Sequence, residues 1–167
     1  KSGKMSERDG SMHKNNNRST AKMMLKATHL LLKNGARVDI IKKNTNDNPL
    51  HWAAFHGESE IINLLLPFID DIDSKDYQQR TSLQLAAIEG HQSIVRTLIE
   101  WNASTSVKDQ SGRTVMEQAI LYRQKDVLES LLLLGTSASA GLRYASSIGE
   151  VELLSLFRQY GANLDEA

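Results

Sequence analysis

The segments PLHWAAFHG (49–57), SLQLAAIEG (82–90) and VMEQAILYR (115–123) start 33 residues apart, and this period constrains the chain more than any other feature. A chain that restates one pattern at a fixed interval builds one supersecondary unit several times, and the units hide their apolar faces against each other. A fourth version, GLRYASSIG (141–149), follows after 26 residues, so 33 − 26 = 7 residues are missing before it. Each version leads into a second apolar segment: Ile61, Ile62, Leu65 and Leu66, then Ile94, Val95, Leu98 and Ile99, then Val127, Leu128, Leu131 and Leu132. Steps of one, three and four residues mark one helical face. An earlier second segment, LLLKNGARVD (30–39), ends like GANLD (161–165).

Start signals agree with paired helices. Asn48 precedes Pro49, an N-cap before a proline at the first helical position, where the missing N–H costs nothing. Thr81 with Gln84 and Thr114 with Glu117 fit the spacing of a capping box. Ala140 stands where the fourth cap belongs, which predicts a frayed helix start there.

The 33-residue period, PLHWAAFHGESEIINLLL (49–66), EGHQSIVRTLIE (89–100), DQSGRT (109–114) and the endings NGARVD and YGANLD resemble ankyrin repeats, from about residue 24 to residue 167. The resemblance implies an all-α ankyrin-repeat solenoid of stacked helix-turn-helix units with hairpin-like loops along one edge. The expected divisions are a degenerate unit 21–42, repeats 43–75, 76–108 and 109–137, and a shortened last repeat 138–167. NNNRSTAKM lacks the small-residue pattern of an opening helix. Residues 1–20, whose apolar side chains are Met5 and Met12 alone, read as a flexible polar segment, native or carried over from expression.

Twenty basic and twenty acidic residues cancel, so no overall field draws the chain to nucleic acid or acidic lipid. Aromatic residues are not interleaved with arginines as single-strand binders require, and nucleic acid is not expected as a partner. With no cysteine, disulfide scaffolds, cysteine nucleophiles and thiolate zinc sites are excluded. No segment has the roughly 18 apolar residues that span a bilayer, so no membrane insertion is expected and the setting expected is cytoplasmic or otherwise intracellular.

Candidate chemistry is sparse. His51 takes the histidine position of the family's TPLH pattern, which implies a structural role in tying a unit to its neighbour. Gln84, Glu117 and Arg143 stand at the equivalent places, so the position holds no shared catalytic base. His56 lies about 140° around a helix from His51, a poor arrangement for chelating one ion. His91 sits in the family's Gly-His turn; His13 and His29 have no partner pattern. Asp70, Asp71, Asp73 and Asp76 invite a calcium reading, but counting from Asp71 puts Asp76 where an EF-hand needs glycine and Ser82 where it needs glutamate. They read as a solvated loop, with Asp73 and Asp76 at family loop positions. No phosphate cradle, HExxH or GxSxG is present. No metal, cofactor or catalytic residue is expected, and the sequons at Asn17 and Asn102 are chance matches. Trp101 is in register with Phe68, Leu134 and Tyr160, a stripe expected to pack between repeats.

In the ankyrin family loop tips and the exposed face of each first helix line a groove. Carried over copy by copy, the loop positions are Lys42, Asn44, Thr45 and Asp47, then Lys75, Tyr77, Gln78 and Arg80, then Lys108, Gln110, Ser111 and Arg113. The helix positions are Phe55 and His56, Ile88 and Glu89, Leu121 and Tyr122, and Ser147 and Ile148. Lys42, Lys75 and Lys108 predict a row of ammonium groups, reinforced by Arg80 and Arg113. Phe55, Ile88 and Leu121 predict an exposed apolar strip, of the kind that marks an interface. Tyr, Phe and Arg anchors are the types that dominate binding energies. A non-enzymatic module is expected, holding in its groove a protein or peptide with acidic and apolar residues. The alternative is an accessory or regulatory segment of a larger enzyme or channel. GANLDEA stops where a further loop would begin, as in an excised fragment, whereas Arg158, at the place of Leu66, Ile99 and Leu132, suits an outer face turned to water.

Overall fold

The computed structural model describes residues 26–36 and 46–163. The chain falls into two units, Lys1–Arg37 and Val38–Ala167. In the first, residues 26–33 form α1, closed by Gly35 in the left-handed conformation and by a bond from the Ala36 N–H to the Leu31 carbonyl.

The second unit opens each of its first three helical pairs with the same cap. Asn48, Thr81 and Thr114 accept a hydrogen bond from the N–H three residues on, while His51, Gln84 and Glu117 accept from the cap's own N–H. Reciprocal bonds of this kind satisfy two of the donors that a helix start leaves orphaned. They launch α2 (Pro49–His56), α4 (Ser82–Ile88) and α6 (Val115–Leu121). Each is followed by an outer helix: α3 (Ser59–Leu65), continued by a 3-10 turn at Leu66–Phe68, then α5 (Gln92–Glu100) and α7 (Lys125–Leu133). The last pair is α8 (Ala138–Ile148) and α9 (Val151–Gln159). Ala140 does not fray the fourth start, contrary to the sequence expectation. The helix begins earlier, and Ser137 caps it by accepting from the Ala140 N–H at 3.3 Å.

The inner helices α2, α4, α6 and α8 pack side by side, α3, α5 and α7 form an outer row, and α9 packs on α8. Among the described residues all regular structure is helical, as a stacked solenoid requires. Small residues, Ala53, Ala54, Ala86, Ala87, Ala119 and Ala145, let the inner helices approach closely; Ile62, Leu65, Ile94, Leu98, Leu128 and Leu131 fill the space behind them. Burying each such Leu or Ile contributes about 1.5–3 kcal/mol. Gly141 is required by packing, because a Cβ there would lie 2.4 Å from the ring of fully buried Phe157.

Polar bonds also fasten α2 and α4 to the loops that lead into the next pair. His51 Nε2 reaches the Ser74 carbonyl at 2.9 Å, and Gln84 Nε2 donates to the carbonyls of Val107 and Arg113 at 3.0 and 2.9 Å. His51 thus has the structural role that the family pattern implies. Glu117 can only accept, so its carboxylate closes its own cap at Thr114 and makes no such bridge. The chain beyond it, 134–137, is the short link from which the hairpin is missing. His91, lying over Gly57, bonds to the Phe55 carbonyl at 3.1 Å, and Gln124 donates to the Ile88 carbonyl at 2.8 Å.

The Trp101 stripe departs from expectation: Phe68 is 52% exposed and Trp101 47%, with Leu134 exposed as well. These residues sit at helix ends, where the chain has already turned away from the neighbouring repeat. Arg158 is exposed.

Candidate functional site

The loops that follow the outer helices close as tight hairpin-like turns. The Asp76 N–H bonds to the Arg80 carbonyl, and 33 residues on the Asp109 N–H bonds to the Arg113 carbonyl, both at 2.9 Å. Inside each turn the aspartate accepts from two backbone N–H groups: those of Gln78 and Arg80 at Asp76, and those of Ser111 and Arg113 at Asp109. Asp73 accepts from the Ser104 N–H at 2.9 Å. The acidic run therefore builds loops, but not as a uniformly solvated stretch: Asp70 and Asp71 are exposed, whereas Asp76 is fully buried because its carboxylate holds the turn together from inside. Adjacent loop tips are laced by Asn46 to the Lys75 carbonyl at 2.5 Å and by the Gln110 N–H to the Gln78 carbonyl at 2.9 Å.

Between these loops and the inner helices lie two depressions of about 210 and 200 Å³, with Arg80 lining both. The first is walled by Asp47, His51, Trp52, Phe55, His56, Arg80 and Leu85. Trp52 and His56, one helical turn apart, place their rings 4.4 Å apart, and Phe55 meets His56 edge-on at 5.1 Å. The second is walled by Gln78, Arg80, Ile88, Asp109, Gln110, Ser111, Arg113, Gln118 and Tyr122. An aromatic hollow thus adjoins a polar one.

The charges are not distributed as the ladder of cations predicts. Arg80 is bound to buried Asp76, its Nε and terminal nitrogen 2.8 and 2.7 Å from Oδ2. Lys75 points its ammonium at the Lys108 carbonyl, 3.4 Å away. Arg113, equivalent to Arg80, makes no side-chain hydrogen bond or ion pair among the described residues. One substitution between repeats explains the difference. Leu85 in the earlier repeat becomes Gln118, whose amide donates to Asp109 Oδ2, the oxygen that the arginine would otherwise take. Arg113 is left as the available cation of the second depression.

Asp47, Phe55, His56 and Arg80 line the first depression, and Gln78, Arg80, Ile88, Gln110, Arg113 and Tyr122 the second. Lys75, Tyr77, Glu89, Lys108 and Leu121 lie outside both, and Lys42 lies outside the described residues, as do Asn44 and Thr45. The continuous apolar strip needs correction. Phe55 is 43% exposed and Leu121 40%, but Ile88 only 8%, because Ile88 lies within the polar hollow, surrounded by residues such as Arg80, Gln118 and Tyr122. Trp52 escaped the sequence reading; its one signal was its place a helical turn before Phe55 and His56.

His51, at the base of the first hollow, is buried, and burial holds its imidazole below its ordinary pKa against the raising effect of its bond to Ser74. Nδ1 accepts the Asn48 N–H at 3.2 Å, so the ring is neutral with its proton on Nε2, donated to Ser74.

A family model for ankyrin repeats, in three copies, matches residues 14–109 and 68–142. The chain belongs to the ankyrin-repeat family. No curated protein matches it. Ankyrin repeats generally mediate protein–protein interaction and are typically non-catalytic. Among the described residues of this ankyrin-repeat chain, no helix is long and apolar enough to cross a membrane, and no group of three His, Asp or Glu is placed to hold a metal ion.

Proposed function

We propose that this ankyrin-repeat chain is a non-enzymatic interaction module that holds an extended segment of a partner protein across the two adjoining depressions. An apolar side chain of the segment enters the hollow of Trp52, Phe55 and Leu85, and an acidic side chain meets Arg113. The observation that supports this reading is the juxtaposition itself: two hollows share Arg80 as a wall, one aromatic and one holding an arginine whose side chain has no partner among the described residues. Aromatic and arginine side chains in pockets are where binding energy concentrates. A charge-assisted bond to Arg113 contributes about 1.5–3 kcal/mol. We place the module inside the cell.

The test uses random dodecapeptides displayed on phage and selected on the full chain. Selected peptides are expected to combine Leu or Phe with Asp or Glu, and to bind Phe55→Ser and Arg113→Glu variants at least tenfold more weakly. Arg80 is a poor site for such a test, since Glu there would confront buried Asp76. Equal affinity for the wild type and both variants would overturn the proposal.

A further inference from the structure

A different face carries its own signature. The outer helices α3, α5 and α7 run in one direction, as the bonds between their equivalent ends show. Ser59 meets Ser93 at 3.2 Å, and Gln92 donates to the Asp126 carbonyl at 3.1 Å. Their C-terminal ends therefore come together, and the bond from the Ser104 N–H to Asp73 seats the chain after α5 on the chain after α3. At these ends Phe68, Trp101, Leu133 and Leu134 are exposed. No Lys or Arg occurs between residues 57 and 74 or between residues 97 and 107. Exposed Asp70, Asp71 and Glu100 lie there without an ion pair among the described residues. Helix C-termini add partial negative charge to the same end.

We propose that this ridge is a second docking surface, which takes a cationic segment of a partner protein carrying Arg or Lys beside apolar residues. The charge identifies the occupant. An exposed indole on a ridge that also carries carboxylates attracts a guanidinium or ammonium group, and the apolar part of the segment covers Phe68 and Leu134. Two copies joined through this face by a two-fold axis would set like charges against each other. The groove, with Arg113 lining its polar hollow, takes the opposite charge under the function proposed above, so one ligand cannot serve both faces.

The experiment selects displayed random dodecapeptides on the full chain and removes those that also bind a Trp101→Ala/Asp71→Lys variant. The surviving peptides are expected to be rich in Arg or Lys with aliphatic or aromatic neighbours. As synthetic peptides, measured by fluorescence anisotropy, they should bind that variant at least tenfold more weakly and Phe55→Ser unchanged. Both substituted residues are exposed and the variant loses one exposed bond, from the Asp73 N–H to Asp71, so its thermal midpoint should stay within a few degrees of that of the wild type. Three results would overturn the proposal. One is no peptide that distinguishes the two proteins. Another is distinguishing peptides that lack cations. The third is a concentration-dependent mass in sedimentation velocity that Trp101→Ala abolishes, which would assign the face to a second copy of the chain.

Discussion

Replacing His51 by alanine and by glutamine separates what its ring does from what its charge does. The imidazole accepts the Asn48 N–H at 3.2 Å and donates to the Ser74 carbonyl at 2.9 Å, both at a site that is 1% exposed. His51→Ala removes two bonds of about 0.5–1.5 kcal/mol each, strands a buried donor and an acceptor, and leaves a void, for a loss of about 2–4 kcal/mol. Gln84 shows how an amide does the same work: its oxygen accepts the cap N–H and its nitrogen donates to the next loop. His51→Gln should therefore cost less than about 1 kcal/mol at pH 7.5. The two variants also differ in how they respond to pH. Because burial lowers the folded-state pKa, the unfolded chain takes up a proton near pH 6.5 while the folded chain does not. The contribution of His51 is fully present above pH 6.5 and declines as pH falls below it, by at most about 1.4 kcal/mol per pH unit until the folded pKa is reached. Protonation would also place a donor on Nδ1 against the Asn48 N–H. Urea unfolding followed by circular dichroism between pH 5 and 8 measures all three proteins. His51→Gln should lose less stability than the wild type on acidification. Parallel profiles, or a His51→Gln variant as weak as His51→Ala at pH 7.5, would refute the tautomer and the bridge together.

Three further outcomes are expected. Gly141→Ala drives a methyl into the Phe157 ring and should lower stability by about 1–3 kcal/mol in the same urea assay; an unchanged midpoint would show that α8 and α9 are loosely packed. Asp76→Ala removes the acceptor of two backbone N–H groups and of Arg80, and should cost about 3–5 kcal/mol; a loss below 1 kcal/mol would mean that the loop does not depend on it. Gln118→Leu frees Asp109 Oδ2 for Arg113, so groove peptides with an acidic residue should bind about tenfold more weakly, as for loss of one charge-assisted bond; unchanged affinity would show that Arg113 is not the anion's partner.

Period and caps were legible because they are local. The 33-residue spacing places Ile61, Ile62, Leu65 and their equivalents on one helical face, and Asn48, Thr81 and Thr114 cap the helices that they precede. What a neighbour covers was not legible. Phe55, Ile88 and Leu121 share a repeat position, yet only Ile88 is enclosed by the side chains of the polar hollow. The reverse holds for Trp101, exposed because it caps the end of α5 where the outer row stops covering it. Charge pairing was equally hidden. Arg80 and Arg113 look alike in sequence, and only the exchange of Leu85 for Gln118 decides which of them its aspartate engages. Ser137 outdid Ala140 as a cap because the short link let α8 begin earlier.

The most direct test of the groove maps where a ligand sits. A ¹⁵N-labelled chain titrated with a selected peptide containing both Leu and Glu should shift the indole N–H of Trp52 and the amides of Phe55, Gln78, Gln110 and Tyr122, and leave Trp101 in place. Shifts confined to Phe68, Trp101 and the outer helices, with the groove silent, would contradict the account.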